Sequence, residues 1–146
     1  AQSLQHGAVI FIDYGFRGAE YYHPSRITGT LMCHYRHYAH TDPFIFPGLQ
    51  DITAHVDFTA VADAGVAAKL QLLGYTTQAN FLLASGLTDR LQMAAPEIAA
   101  TYLPLTTQVQ RLVSPAEMGE FFKVIGFGKN LLSPITAFQT ARQLPL

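Results

Sequence analysis

Three carboxylates and one histidine stand where a binding or proton-transfer site could be built. Asp13 closes the apolar run Gly7-Ala-Val-Ile-Phe-Ile, while Asp51, Thr53, His55 and Asp57 recur at every second position up to Phe58. On a strand that period places them on one side and Ile52, Ala54, Val56 and Phe58 on the other. Carboxylates accept paired bonds from a guanidinium and single bonds from amines or hydroxyls, so an acidic row suits a cationic or hydrogen-bonding substrate. The same residues have plain structural uses. Asp51 can lie on a solvated face, and Asp57 or Thr59 can cap a following helix. A carboxylate that ends a central strand has fewer such uses, which favours function for Asp13.

A second cluster, Cys33-His34-Tyr35-Arg36-His37-Tyr38-Ala39-His40, invites a metal reading, with His23 and His55 as further donors. Its spacing matches no familiar zinc pattern, and on a strand His34 and His37 face opposite ways. No metal site is therefore expected, and a metal-dependent enzyme built on His34, His37 and His40 stays a rival. Interleaved Tyr35, Arg36 and Tyr38 suit a binding loop better, although Arg36 can simply pair with a carboxylate. Thr76-Thr77-Gln78 can offer donors to a ligand or merely start a helix. Lys123, within an apolar strand, reads as an outward residue that snorkels. No Gly-rich phosphate loop, G-x-S-x-G elbow or H-E-x-x-H is present.

The elements that must position these residues alternate between strand and helix, the pattern of an α/β sheet with helices on its faces. Residues 7–13 read as a strand buried on both faces of a parallel sheet, turning at Gly15. Residues 16–27 read as a loop, and 29–38 as a strand or irregular segment. Residues 51–58 form a half-buried strand, followed by a helix over 58–70 in which Gly65 is a weak point. A strand over 70–75 precedes a helix capped by Thr76 or Thr77 that ends at Ser85-Gly86. A helix is expected within 96–113, broken or kinked at Pro104, then a helix start at Ser114-Pro115 and a late strand over 121–127. In open sheets ligands sit beyond the carboxyl ends of strands, where Asp13 and Tyr14 fall.

The chain has 146 residues, enough for one domain. Its net charge of −1 offers no basic field, so neither nucleic acid nor a membrane surface is an expected partner. The longest apolar run, Ala8 to Ile12, is far short of the roughly 20 residues that cross a bilayer, and no signal-peptide pattern is seen. With a single cysteine no internal disulfide can form, which suits the cytoplasm. Charged residues make up only 13% of the chain and hydrophobic ones 49%. So little charge implies that part of the surface is covered by an oligomeric partner or by more of the same fold.

Read in order, FIDYG (11–15), GTLMCHYRHY (29–38), DPFIFPGLQDITAHVDF (42–58), GYTTQANFLLASG (74–86) and MGEFFKVIGF (118–127) resemble the carboxyl-terminal half of the MidA-like S-adenosylmethionine-dependent methyltransferases. That family includes a mitochondrial complex I assembly factor that methylates an arginine. The resemblance implies a Rossmann-like methyltransferase sheet with a substrate-side insertion, the Asp13 strand fifth and the Phe121 strand the antiparallel edge. It also implies S-adenosylmethionine as cofactor. Family members carry a Gly-rich cofactor loop and an acidic Asn-Glu segment in an upstream half, neither of which is in this sequence, so cofactor residues are unassigned and the chain alone is expected to be inactive. Residues 1–146 then form one part of a methyltransferase domain acting on a protein side chain, with arginine the first to consider. Asp13, His55 and Asp57 are its candidate catalytic groups. Tyr14, Gly15, Tyr35, Arg36, Asp51, Thr53 and Gln78 are its candidate substrate-binding groups. Its partners would be a protein substrate and the upstream half or a second copy, in the cytoplasm of a bacterium or the mitochondrial matrix of a eukaryote. The rival of another class is a non-catalytic module that uses the same loop to hold a protein.

Overall fold

The computed structural model describes residues 4–94 and 99–146. The first apolar run becomes β1 (Gly7–Phe16), three residues longer than expected because its alternation continues through Tyr14 and Phe16. Asp13 therefore lies within the strand, not at its end. A short helix α1 (Gly18–Tyr21) follows, in place of the expected loop. Next come β2 (Met32–Tyr35), β3 (Tyr38–His40), β4 (Asp51–Thr53) and β5 (Val56–Asp57). The remaining elements are α2 (Phe58–Ala67), β6 (Gln71–Thr77), α3 (Gln78–Ala84), α4 (Leu87–Gln92), α5 (Ala99–Val113), α6 (Met118–Phe121), β7 (Phe122–Lys129) and α7 (Thr136–Thr140).

The main sheet has the order β5-β1-β7-β6. β7 runs antiparallel to both β1 and β6, so those two point the same way. This corrects two expectations. The antiparallel strand is not the edge: Val124, Ile125 and Phe127 are almost inaccessible, and burial of that run requires a strand on each side. Nor is β1 buried in a parallel sheet. It pairs in parallel only at Gly15 and Phe16, with β5, and Ile10, Phe11 and Ile12 remain 40–50% exposed. Gly15 makes that pairing possible, since a Cβ there would stand 2.2 Å from the Val56 carbonyl oxygen.

The core on one face of the sheet gathers Phe58, Ala62, Tyr75, Ile125 and Phe127. Gly65 is a contact point and not a weak one: a Cβ would meet the Phe127 ring at 2.2 Å, so only glycine lets α2 settle on β7. The outer edge of β6 is covered by the last residues of the chain. The Leu144 N–H donates to the Tyr75 carbonyl, the Tyr75 N–H to Gln143 Oε1, and Thr76 Oγ1 to the Arg142 carbonyl.

The segment 51–58 is not one strand. It divides between two sheets, β4 joining β2 and β3 in a small sheet of order β3-β2-β4, and β5 joining the main sheet. The His55 N–H is drawn out of the ladder to Thr30 Oγ1, 3.2 Å away. Two residues later Asp57 starts α2, its Oδ1 accepting from the N–H groups of Thr59 and Ala60 at 3.0 and 3.2 Å. Thr77 starts α3 as expected, accepting from the Asn80 N–H. Pro104 does not break α5, which runs through it from Ala99. The proline removes a single ladder donor, and one lost bond leaves the rest of the helix intact. The expected helix residues 96–98 lie outside the described residues.

Candidate functional site

The split of 51–58 creates the site. With β4 in one sheet and β5 in the other, His55 sits at the seam, beside the face of β1 that carries Tyr14 and Phe16. Its ring stacks on Phe16 with centroids 4.8 Å apart and 16° between planes, and meets the edge of Tyr14 at 5.3 Å. Tyr14 in turn packs edge-on against Phe122. Such contacts fix the imidazole plane without using its nitrogens. Nδ1 of His55 is buried and has no hydrogen-bond partner among the described residues. A buried polar nitrogen left unpaired is costly, so a ligand group or an ordered water is needed there.

A cavity of about 680 Å³ opens at this seam, lined among others by Tyr14, Arg26, His34, Asp51, Thr53 and His55. Asp51 and His34 face each other across β4 and β2. Arg26 lies over the Phe16 ring, 3.9 Å from its centroid. Its Nε donates to the Glu20 carbonyl at 3.0 Å and one terminal nitrogen stands 3.7 Å from Glu20 Oε1. Arg26 is thus already held, whereas Asp51 has no cation within 4.0 Å among the described residues. The cavity is therefore lined by an open carboxylate, an imidazole and a tyrosine, a set that can hold a cationic or N–H-bearing group and take a proton from it.

Four of the ten candidates from sequence, Tyr14, Asp51, Thr53 and His55, meet in this cavity. The others lie elsewhere. Asp13 projects from the opposite face of β1, across from Lys123, and its Oδ1 accepts the Tyr14 N–H at 2.8 Å. Gly15 is closed over by Val56. Asp57 caps α2. Gln78 is 5% exposed and donates to the Leu112 carbonyl at 2.9 Å, tying α3 to α5. Tyr35 stacks on Phe46 at 4.4 Å, with the Arg36 guanidinium 5.5 Å from the Tyr35 ring, both on the small sheet. Sequence reasoning missed Arg26, in a stretch taken for loop, and read His34 only as a metal donor. Their signal was the aromatic β1 face, which needs polar neighbours to close a cleft. Among the described residues no three His, Cys, Asp or Glu side chains converge as a metal site requires.

A family model described as "Putative S-adenosyl-L-methionine-dependent methyltransferase" matches residues 1–76. The chain belongs to this methyltransferase family. It is similar to the mitochondrial protein arginine methyltransferase NDUFAF7 of Danio rerio, 32% identical over 121 residues, covering 80% of this chain and 26% of that protein. The Mus musculus protein of the same name is 32% identical over 118 residues, covering 80% of this chain and 25% of that one. A native crystal structure from Burkholderia thailandensis superposes with a TM-score of 0.88 at 57% identity, over 93% of this chain and 36% of that one. A second, described as bound to S-adenosyl-homocysteine, gives 0.87 at 57% identity over 92% and 35%. The α/β fold with its mixed sheet is thus that of solved family members. The chain spans about a quarter of the length of the curated relatives it matches, and little more than a third of those crystal structures.

S-adenosylmethionine, which this methyltransferase family uses, calls for a strand-to-helix turn whose backbone lies bare to a ligand. The described turns do not fit. Those entering α2 and α3 are closed by the Asp57 and Thr77 side chains. Gly18, entering α1, is packed against Thr59, whose Oγ1 accepts its N–H at 2.8 Å.

Proposed function

We propose that this chain is the acceptor-holding, carboxyl-terminal part of an S-adenosylmethionine-dependent methyltransferase that acts on a protein arginine. The observation that carries this reading is the ring-clamped His55 with an unpaired Nδ1, sharing one cavity with the open carboxylate of Asp51. The name of the Danio and Mus relatives supports the choice of arginine. Asp51 would pair with the guanidinium and draw its positive charge toward the nitrogens it binds, leaving the reacting nitrogen the better nucleophile. Tyr14 and Thr53 would orient it and keep water out. For each methyl group it gains, the reacting nitrogen must lose one proton, and the His55 imidazole would be the group placed to take it. The remainder of the enzyme, or a second copy, would supply the cofactor site and cover Ile10, Phe11 and Ile12 along the open edge of β1. Its compartment would be the cytoplasm in a bacterium or the mitochondrial matrix in a eukaryote.

The test is transfer of labelled methyl to protein by the full-length enzyme. His55→Gln and Asp51→Asn should each lower the rate at least tenfold, about 1.4 kcal/mol of barrier, with the melting temperature and cofactor affinity unchanged. Rates within twofold of wild type for both variants would place the acceptor elsewhere. Undetectable transfer by the wild-type enzyme, with a protein partner still bound, would favour the non-catalytic module.

A further inference from the structure

A second cavity, of about 450 Å³, lies at the carboxyl ends of β1 and β6 and is lined in part by Arg17, Glu20, Tyr75, Thr77, Lys123 and Arg142. β1 and β6 point the same way on either side of β7, so their ends open together where sheets of this class receive ligands. Arg17 directly follows β1, Thr77 closes β6, and Lys123 is the second residue of β7. Arg142 comes from the far end of the chain. The bonds from Tyr75 and Thr76 to residues 142–144 hold it there, so the cavity is assembled by the same tail that covers the β6 edge.

We propose that this cavity is a binding site for an oxyanion, a carboxylate or phosphate group carried by a small ligand. Three side-chain cations line it, and among the described residues none of them has a carboxylate within 4.0 Å. Of the two lining carboxylates, Glu20 is engaged by Arg26 from outside the cavity, and Glu120 is exposed at the rim. Lys123 Nζ donates to the Glu120 backbone carbonyl, which leaves it two N–H groups for a ligand. At the floor Tyr75 is 3% exposed. Burial pushes its hydroxyl up to about 12, helped by Glu20 and opposed by Arg17, so it stays a neutral donor. Burial also pulls Lys123 below its usual value, against Glu20 and Glu120. An anion seated beside the ammonium would relieve that penalty. Guanidinium groups, an ammonium, a phenol and a threonine hydroxyl together form a donor-rich pocket that suits charge-assisted bonds to oxygen. The site is separate from the His55 cavity and does not depend on what that cavity binds.

The experiment is calorimetric titration of the full-length protein with inorganic phosphate and, separately, with acetate at constant ionic strength. Saturable one-site binding of at least one anion is expected. Arg142→Gln and Lys123→Met should each weaken it at least fivefold, and Arg90→Gln, exposed on α4, should not change it. Preference for phosphate identifies a phosphate-bearing ligand, and preference for acetate a carboxylate-bearing one. Arg142 is exposed, so its variant should fold even if Lys123→Met does not. Absence of saturable binding by either anion, or binding that Arg142→Gln leaves unchanged, would overturn the proposal.

Discussion

The main sheet and the small sheet are similarly rich in apolar residues but hold themselves together differently. On the main sheet Val124, Ile125 and Phe127 are at most 1% exposed, and Phe58, which opens α2 in the same core as Ile125 and Phe127, is equally buried. On the small sheet only Cys33 is buried, while Met32, Ile52 and Tyr38 are 36%, 51% and 66% exposed, and Phe44 and Leu49 in the adjoining loop more so. Its order comes from ring contacts, Tyr35 on Phe46 and His40 against both Tyr38 and Phe46. Both nitrogens of His40 and Oε1 of Gln50 are buried there without partners among the described residues. Around β7 the main sheet is a finished core, whereas the small sheet, like Ile10, Phe11 and Ile12 of β1, is a surface that awaits cover. His55 sits where the two meet, so a rigid strand supports its ring while the less constrained sheet supplies Asp51. This division suits a site that must grip one reactant and admit it.

The strongest way to break this comparison is to empty each region in turn. Phe127→Ala removes the ring that fills the space over Gly65 and should cost about 3–5 kcal/mol of stability in the full-length protein. Tyr38→Ala, on the small sheet, should stay within about 0.5 kcal/mol. Urea midpoints of both variants decide the matter. Comparable losses would show that the small sheet carries core energy after all.

The seam can be tested through Asp57, which the sequence reading placed among catalytic groups and which the fold uses to begin α2. Asp57→Ala should lower stability by about 1 kcal/mol, the usual worth of an N-cap, and leave methyl transfer per folded molecule unchanged. A tenfold loss of transfer with an intact melting temperature would instead return Asp57 to the reaction.

The mixture of legible and illegible features follows from where the period of the sequence carries information. β1, α2, β6, α3 and β7 were readable because each has a continuous apolar run or a capped start, as Thr77 shows. The division at Ala54-His55 was not readable, because residues 51–58 keep perfect alternation across two different sheets. A period of two specifies the side of a side chain but not the strand it pairs with. That error put Asp57 beside Asp51, whereas one caps a helix and the other lines a cavity. Tyr14 was found because ligands sit beyond the carboxyl ends of strands, and His55 because it shares the period of Asp51 and Thr53. Arg26 was missed because its partners, Phe16 and Glu20, meet it only through the turn at α1. Asp13 was read as a strand terminus, and three more paired residues reversed that position.

The smallest expected effect lies at the tip of the small sheet, and its sign is informative. β2 and β3 are joined by Arg36 and His37 with φ of 46° and 68°, a two-residue turn with both residues in the left-handed region. That turn matches the twist of a hairpin, but its favoured residues are Asn-Gly, and a bulky side chain there is strained. Replacing the pair by Asn-Gly should relieve about 1 kcal/mol or a little more of that strain. It also removes the Arg36 guanidinium from the Tyr35 ring, a contact worth about 0.5–1 kcal/mol at an exposed site. The net gain should then be a few tenths of a kcal/mol by these two magnitudes, measurable as slower amide exchange at Tyr35 and Tyr38. Strain is kept in proteins where a function requires it. Arg36 and His37 do not line the cavity of His55, so methyl transfer should fall less in this double variant than in Asp51→Asn. A stabilised hairpin with transfer lowered as far as in Asp51→Asn would extend the acceptor surface outward along the small sheet to Arg36, whereas a destabilised one would mean that the guanidinium–ring contact, and not the turn, holds the hairpin together.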